Sequence, residues 1–212
     1  DLVVSNVDAA HLYTDLLPHP KQAKKLDRAG RSTSAFVICA AVRGRTEGIA
    51  HHNLFFSLHD RQEFRYLEAG QMAIDPTVYA CVSSVTDPGQ APRDGENWYM
   101  LVNAPPAVGL DRKLMTAAVL NRLAERGFDI RTRIDFTRTL APADFEARYR
   151  AVGGAIYGTS SNGRKAAFAR PNNVGPVDGL YLVGGSTHPG GGLPMVAISA
   201  RIVADLVAER HG

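Results

Sequence analysis

Two cysteines, one tryptophan and no apolar run of membrane-spanning length are what this 212-residue chain has in short supply. Two cysteines are too few for a disulfide scaffold. Cys39 and Cys81 each sit inside an apolar run. Both read as buried free thiols, which suits a reducing compartment. A transmembrane helix needs roughly 18 or more consecutive apolar residues, and no segment approaches that. Charge of one sign is scarce too: 24 Lys and Arg face 21 Asp and Glu, a formal net charge of +3. No nucleic-acid partner is expected from such a balance. The local basic cluster of Lys21, Lys24, Lys25, Arg28 and Arg31 reads as a solvated face. Internal repeats and low-complexity tracts are also missing.

What is present is an ordinary globular composition, 45% hydrophobic and 21% charged. Leu2-Val3-Val4 reads as a short strand, and Asp8 can N-cap a helix that Pro18 stops. Residues 19 to 34 read as a polar connection. Strand-like runs follow at Ala35 to Val42, Asn53 to Leu58, Thr77 to Ser83 and Trp98 to Ala104, separated by turn signals. A mostly antiparallel sheet is the economical reading. Asp111 opens a helix with a stripe of Leu114, Met115, Ala118, Val119, Leu123 and Ala124, and Gly127 closes it. Ile130 to Phe136 alternates as a half-buried strand, and Pro142 starts another helix carrying Phe145 and Tyr149. A long glycine-rich irregular stretch follows Val152, the kind of loop that is usually functional. Gly179 to Val183 is a short strand. Met195 to Arg210 is a helix with Ile198, Ile202 and Leu206 inward.

The segment from Leu180 to Leu206 carries the chemistry: strand, glycine loop, helix. Glycine lets backbone approach a ligand closely. A helix start offers unpaired N–H groups and a partial positive charge. Together they favour an anion or an electron-rich ring edge. Gly190-Gly191-Gly192 is more glycine than a plain turn requires.

Leu180-Tyr181-Leu182-Val183-Gly184-Gly185-Ser186-Thr187-His188-Pro189-Gly190-Gly191-Gly192-Leu193-Pro194 resembles the C-terminal flavin-binding signature of bacterial-type phytoene and carotenoid desaturases. The pairing of Gly-x-Thr-His-Pro-Gly with Gly-x-Pro before a helix carries the likeness. Phe168-Ala169-Arg170-Pro171-Asn172-Asn173 is similar to that family's Phe-Arg-Pro-x-Asn segment, with Ala169 intruding. Val3-Val4-Ser5-Asn6-Val7-Asp8 is similar to its strand returning from mid-chain.

The resemblance implies an α/β (mixed α+β) flavoprotein that binds FAD non-covalently and acts on a lipophilic isoprenoid. Residues 1–22 and 150–212 would belong to a Rossmann-like FAD domain, and 23–149 to an inserted substrate domain. Gly184, Gly185, Ser186 and Thr187 would lie along the ribityl–phosphate side. Gly192, Leu193, Pro194 and Met195 would face the isoalloxazine ring. The family's N-terminal Gly-x-Gly-x-x-Gly does not occur in these 212 residues, so the chain reads as the C-terminal part of a longer protein, inactive alone. The resemblance further implies a cytoplasmic protein able to touch the inner membrane face. It implies a homo-oligomer where the N-terminal half would otherwise pack. The alternative reading is a non-catalytic association piece.

Other signals are weaker. No residue stands out as the catalytic base, and His188 reads as a loop-fixing residue. His51-His52 invites a metal, but neighbours on a strand point to opposite faces, so no metal site is expected. Ser160-Ser161 and Ser186 lack a nucleophile elbow. Phe55, Phe56, Tyr79, Trp98 and Tyr99 read as core, with a lipid-lined channel as the competing reading.

Overall fold

The computed structural model describes residues 1–107, 109–160, 162 and 170–211. In chain order the elements begin with β1 (Val3–Ser5), α1 (Ala9–His11), α2 (Pro20–Arg28), β2 (Ser34–Arg43) and β3 (His52–Phe55). Next come α3 (Asp60–Glu68), β4 (Val78–Cys81), β5 (Gly95–Ala104) and α4 (Arg112–Glu125). The chain closes with β6 (Ile134–Leu140), α5 (Pro142–Tyr149), β7 (Leu180–Leu182) and α6 (Leu193–His211). Mixed α/β architecture, as expected, divides into two compact units: Asp1–Ser34 with Ala143–Gly212, and Ala35–Pro142.

In the first unit β1 and β7 pair in parallel, Val3 with Leu180 through Ser5 with Leu182. Asp8 caps α1 as its sequence position suggests, its carboxylate accepting from the N–H groups of Ala10 and His11. The helix then widens into a π-helical turn over Leu12–Leu16. Residues 19–34 are not a plain connection. His19 Nδ1 accepts from Gln22 N–H, Pro20 takes the first helical position, and α2 follows. Leu26 anchors that helix among Ala9, Ala10, Leu12, Tyr13, Leu180 and Leu182. One leucine in nine residues is too sparse to register as helical periodicity. Lys21, Lys24, Lys25 and Arg28 are exposed, as a solvated face should be.

The second unit is a five-stranded sheet in the order β3-β4-β5-β2-β6, antiparallel at β3–β4, β4–β5 and β2–β6. One face buries Phe36, Ile38, Val78, Ala80, Trp98 and Met100 in a cluster with Met115, Val119 and Leu123 of α4. Asp111 caps α4 at one end. At the other, Phe128 N–H reaches Leu123 O and Gly127 N–H reaches Ala124 O, with Gly127 at φ 89°. Leu114 does not share the buried stripe and is exposed. α3 has no counterpart in the sequence reading.

Three expectations fail for local reasons. The strand expected from Ile130 begins only at Ile134, because Arg131–Arg133 wind into a 3-10 turn held by the Asp129 carboxylate. The turn resets the alternation, and Phe136 is exposed. The cysteines are not buried: Cys39 is exposed and Cys81 intermediate. Both lie on the sheet face opposite the core, where an apolar run still leaves alternate residues open. Finally, β3 begins at His52, so His51 lies outside it and escapes strand alternation. The two imidazoles sit on one side with ring centroids 4.3 Å apart.

The aromatics divide by face. Phe55 and Trp98 are core, whereas Phe56 and Tyr99 are exposed and Tyr79 is half-buried. In α6 the seam is Ser199 and Val203, both buried, rather than Ile198, which is 46% exposed.

Candidate functional site

β7 delivers the chain to the glycine loop. Val183 N–H donates to Ser5 O (2.9 Å), extending the β1–β7 pairing by one residue. Gly184 then turns at φ 118°, in the region that favours glycine. Its N–H donates to Ser199 Oγ (3.2 Å) on α6. This bond explains the rotation of α6: a buried serine serves the loop, so the helix turns that side inward.

The first half of the loop binds itself. Ser186 Oγ accepts from Ala9 N–H (3.0 Å) at the start of α1. Thr187 is fully buried and its hydroxyl donates to Gly184 O (3.1 Å). His188 holds the loop through its backbone, its N–H donating to Pro171 O and its carbonyl accepting from Asn173. The His188 ring is exposed. Asn173, itself buried, has Nδ2 at 3.0 Å from Leu182 O, His188 O and Ser199 Oγ.

The triple glycine is explained piece by piece. An ideal Cβ on Gly190 would lie 3.3 Å from Arg170 Nε, and on Gly191 2.4 Å from Tyr157 Cδ1. Gly192 meets nothing within 4 Å but takes φ 100°. Two of the three glycines therefore make room for the chain's own side chains. Arg170 is buried and its Nη1 donates to Tyr157 O (2.8 Å) and Gly185 O (3.2 Å). Burial lowers its pKa from the ordinary guanidinium value.

The second half is open. Gly192, Leu193, Pro194 and Met195 are exposed, Leu193 at 88%. The first helical bond of α6 runs from Val196 N–H to Gly192 O (2.9 Å). N–H groups ahead of that bond stand at a helix start beside apolar Leu193, Met195 and Ile198. Backbone donors beside apolar side chains, around a glycine with free space, suit a flat ring with a polar edge. The eight residues expected at the site thus divide into a buried group, Gly184 and Thr187, a half-buried pair, Gly185 and Ser186, and the exposed Gly192 to Met195. Tyr157, Asn173 and Ser199 were not foreseen as loop supports. Asn173 stood in the segment resembling the family, but nothing in the sequence singles out the other two. Phe168 and Ala169 of that segment lie outside the described residues.

No family model matches the chain. Curated proteins do. A 1-hydroxycarotenoid 3,4-desaturase from a Flavobacterium species is 35% identical over all of this chain and 45% of its own length. A 4,4'-diapolycopene oxygenase from a Methylomonas species is 34% identical over 98% of this chain and 44% of its own. A carotenoid 3,4-desaturase from Haloarcula japonica is 36% identical over 99% and 44%. The chain spans less than half the length of these relatives. A solved oxidoreductase from Methanosarcina mazei superposes with TM-score 0.54 over 97% of this chain and 43% of that one; at 14% identity this concerns the fold alone. From end to end, the chain is a relative of part of the carotenoid desaturases and oxygenases, as the glycine-loop signature implied.

Proposed function

We propose that the chain is part of an FAD-dependent, phytoene desaturase-like oxidoreductase acting on a carotenoid or another lipophilic polyene. The observation that carries this is the open start of α6, with Gly192 unobstructed and Leu193 to Met195 exposed, in a chain related along its whole length to carotenoid desaturases. The flavin, when bound, supplies the hydride-accepting ring. The protein's own part is placement and electrostatics. Gly192 admits the ring edge; Leu193 and Met195 exclude water from it. The positive end of α6 favours negative charge there by about 0.3–2 kcal/mol. Tyr157, Arg170 and Asn173 hold the loop still so that this geometry is preformed. Ser186 and Thr187, committed to Ala9 and Gly184, act as loop braces on this reading.

The outward face of the second unit supports a lipophilic substrate. Leu54, Tyr79 and Leu101 are directly opposed across β3, β4 and β5, with Tyr99 one step along β5 and packed edge-on to Tyr79. This row of apolar and aromatic side chains, beside the His52–Cys81 pair on the same face, suits a long polyene. Peripheral contact with the inner membrane face would follow from that substrate. Among the described residues no helix is long and apolar enough to cross a membrane.

The test is made on the complete gene product. Purified protein should carry bound flavin absorbance, which an acyclic carotenoid bleaches under anaerobic conditions. Protein that stays colourless in excess FAD overturns the cofactor assignment. A flavoprotein indifferent to carotenoids overturns the substrate class.

The second reading, an association piece, is favoured by one observation. Val3, Val4, Leu16, Leu17 and Val177 line an open groove of about 580 Å³ along β1. Further polypeptide or a second copy would cover it. Sedimentation of the complete protein separates the two: concentration-dependent self-association supports this reading, and a monomer with bound flavin removes it.

A further inference from the structure

We infer that the second unit carries a three-donor metal site, formed by His51, His52 and Cys81, for a borderline-soft divalent ion such as Zn²⁺. One ring nitrogen from each histidine and the Cys81 sulfur all lie within 4.8 Å of one another. Zinc bonds of about 2.0–2.3 Å in a tetrahedron set ligand atoms roughly 3.3–3.6 Å apart. The observed cluster therefore needs at most about 1.5 Å of side-chain closure, which rotamer changes supply.

The backbone explains why the three meet. His52 and Cys81 are directly opposed across the antiparallel β3–β4 ladder, so their side chains share a face. His51 precedes β3 and is tied to the end of β4 by Val82 N–H donating to His51 O (2.7 Å). Freed from strand alternation, its ring packs beside that of His52.

A second observation points the same way. His51 Nδ1 lies 2.5 Å from Thr86 Oγ1, and His52 Nδ1 lies 2.8 Å from Tyr79 Oη. Both Nδ1 atoms are thus engaged by hydroxyls, and in the proposed site each Nε2 is the ligating atom. Ligating histidines characteristically have the other ring nitrogen held by an outer polar group, which fixes tautomer and ring orientation. Tyr79 stands two residues before Cys81 on the same face of β4. On binding, Cys81 loses its thiol proton to solvent and the thiolate joins the ion. Three protein ligands with partial exposure leave a fourth position for water or an incoming ligand.

The experiment is a titration of the full polypeptide with Co²⁺ as a spectroscopic stand-in for Zn²⁺, followed by Zn²⁺ competition. One Co²⁺ per chain is expected, with a thiolate charge-transfer band and the intense visible bands of a tetrahedral site. Cys81→Ser should abolish the charge-transfer band, and Cys39→Ser should leave it intact. Tyr79→Phe should weaken binding about 10–100-fold while keeping the band. Wild-type protein that binds neither ion stoichiometrically overturns the site. A charge-transfer band that survives Cys81→Ser overturns it too. Circular dichroism of each variant identifies any that fails to fold, and for such a variant His52→Asn is used to the same end.

Discussion

The ring of Tyr157 occupies the space that a side chain on Gly191 would need, Cδ1 lying 2.4 Å from the ideal Cβ position. Real Cβ atoms do not come so close, so the aromatic ring and the glycine require each other. Gly191→Ala should destabilise the protein by about 1–3 kcal/mol, as overpacking does. Tyr157→Ala in the same chain should recover part of that loss. Urea unfolding of the four members of this cycle checks it; additive effects would show that the contact is not made.

Asn173 joins three segments by one amide: β7 through Leu182, the loop through His188 and α6 through Ser199. Asn173→Leu removes the buried amide that donates to Leu182 O, His188 O and Ser199 Oγ. A loss of about 1–3 kcal/mol is expected, concentrated in the loop. Hydrogen exchange should show faster exchange at Gly184 N–H, which depends on the same Ser199 hydroxyl.

Leu193→Asp places a negative charge at the exposed first residue of α6. Stability should hold or rise slightly, since an acid at a helix start gains about 0.3–1 kcal/mol. If this helix start faces the flavin, the same charge opposes electron gain by the ring. Bound flavin in the complete protein should then show a lower reduction potential. An unchanged potential with intact binding would place the ring elsewhere.

Asp129 offers a pH prediction. Hydrogen bonds from Arg131, the side chain first, lower its pKa from 3.8 to about 2. A depressed folded-state pKa means the contribution is present above about 4 and disappears as pH falls through about 2. Arg131→Ala should bring the carboxyl back toward the ordinary range. NMR titration of the Asp129 side-chain carbon reads this directly, and a midpoint near 4 in the parent protein would contradict the pairing.

Much of the fold was legible because it is written in local chemistry. Asp8 and Asp111 cap helices through their own carboxylates, and Gly127 closes α4 with a left-handed turn. α3 and α2 were not legible. α2 is held by one buried leucine and a histidine cap, signals too thin to separate from a polar loop.

By itself the sequence determined four of the five strands of the second unit, the caps and the glycine signature that ties the chain to the carotenoid desaturases. These follow from propensity and spacing, which act between residues close in the chain. Tertiary structure decided the rest. It turned α6 by one position to bury Ser199 under Gly184. It filled the bend with Tyr157 and Arg170 while leaving Gly192 open. It gathered His51, His52 and Cys81 across two strands. Each depends on groups distant in sequence meeting at hydrogen-bond or van der Waals range, and no local pattern encodes such meetings.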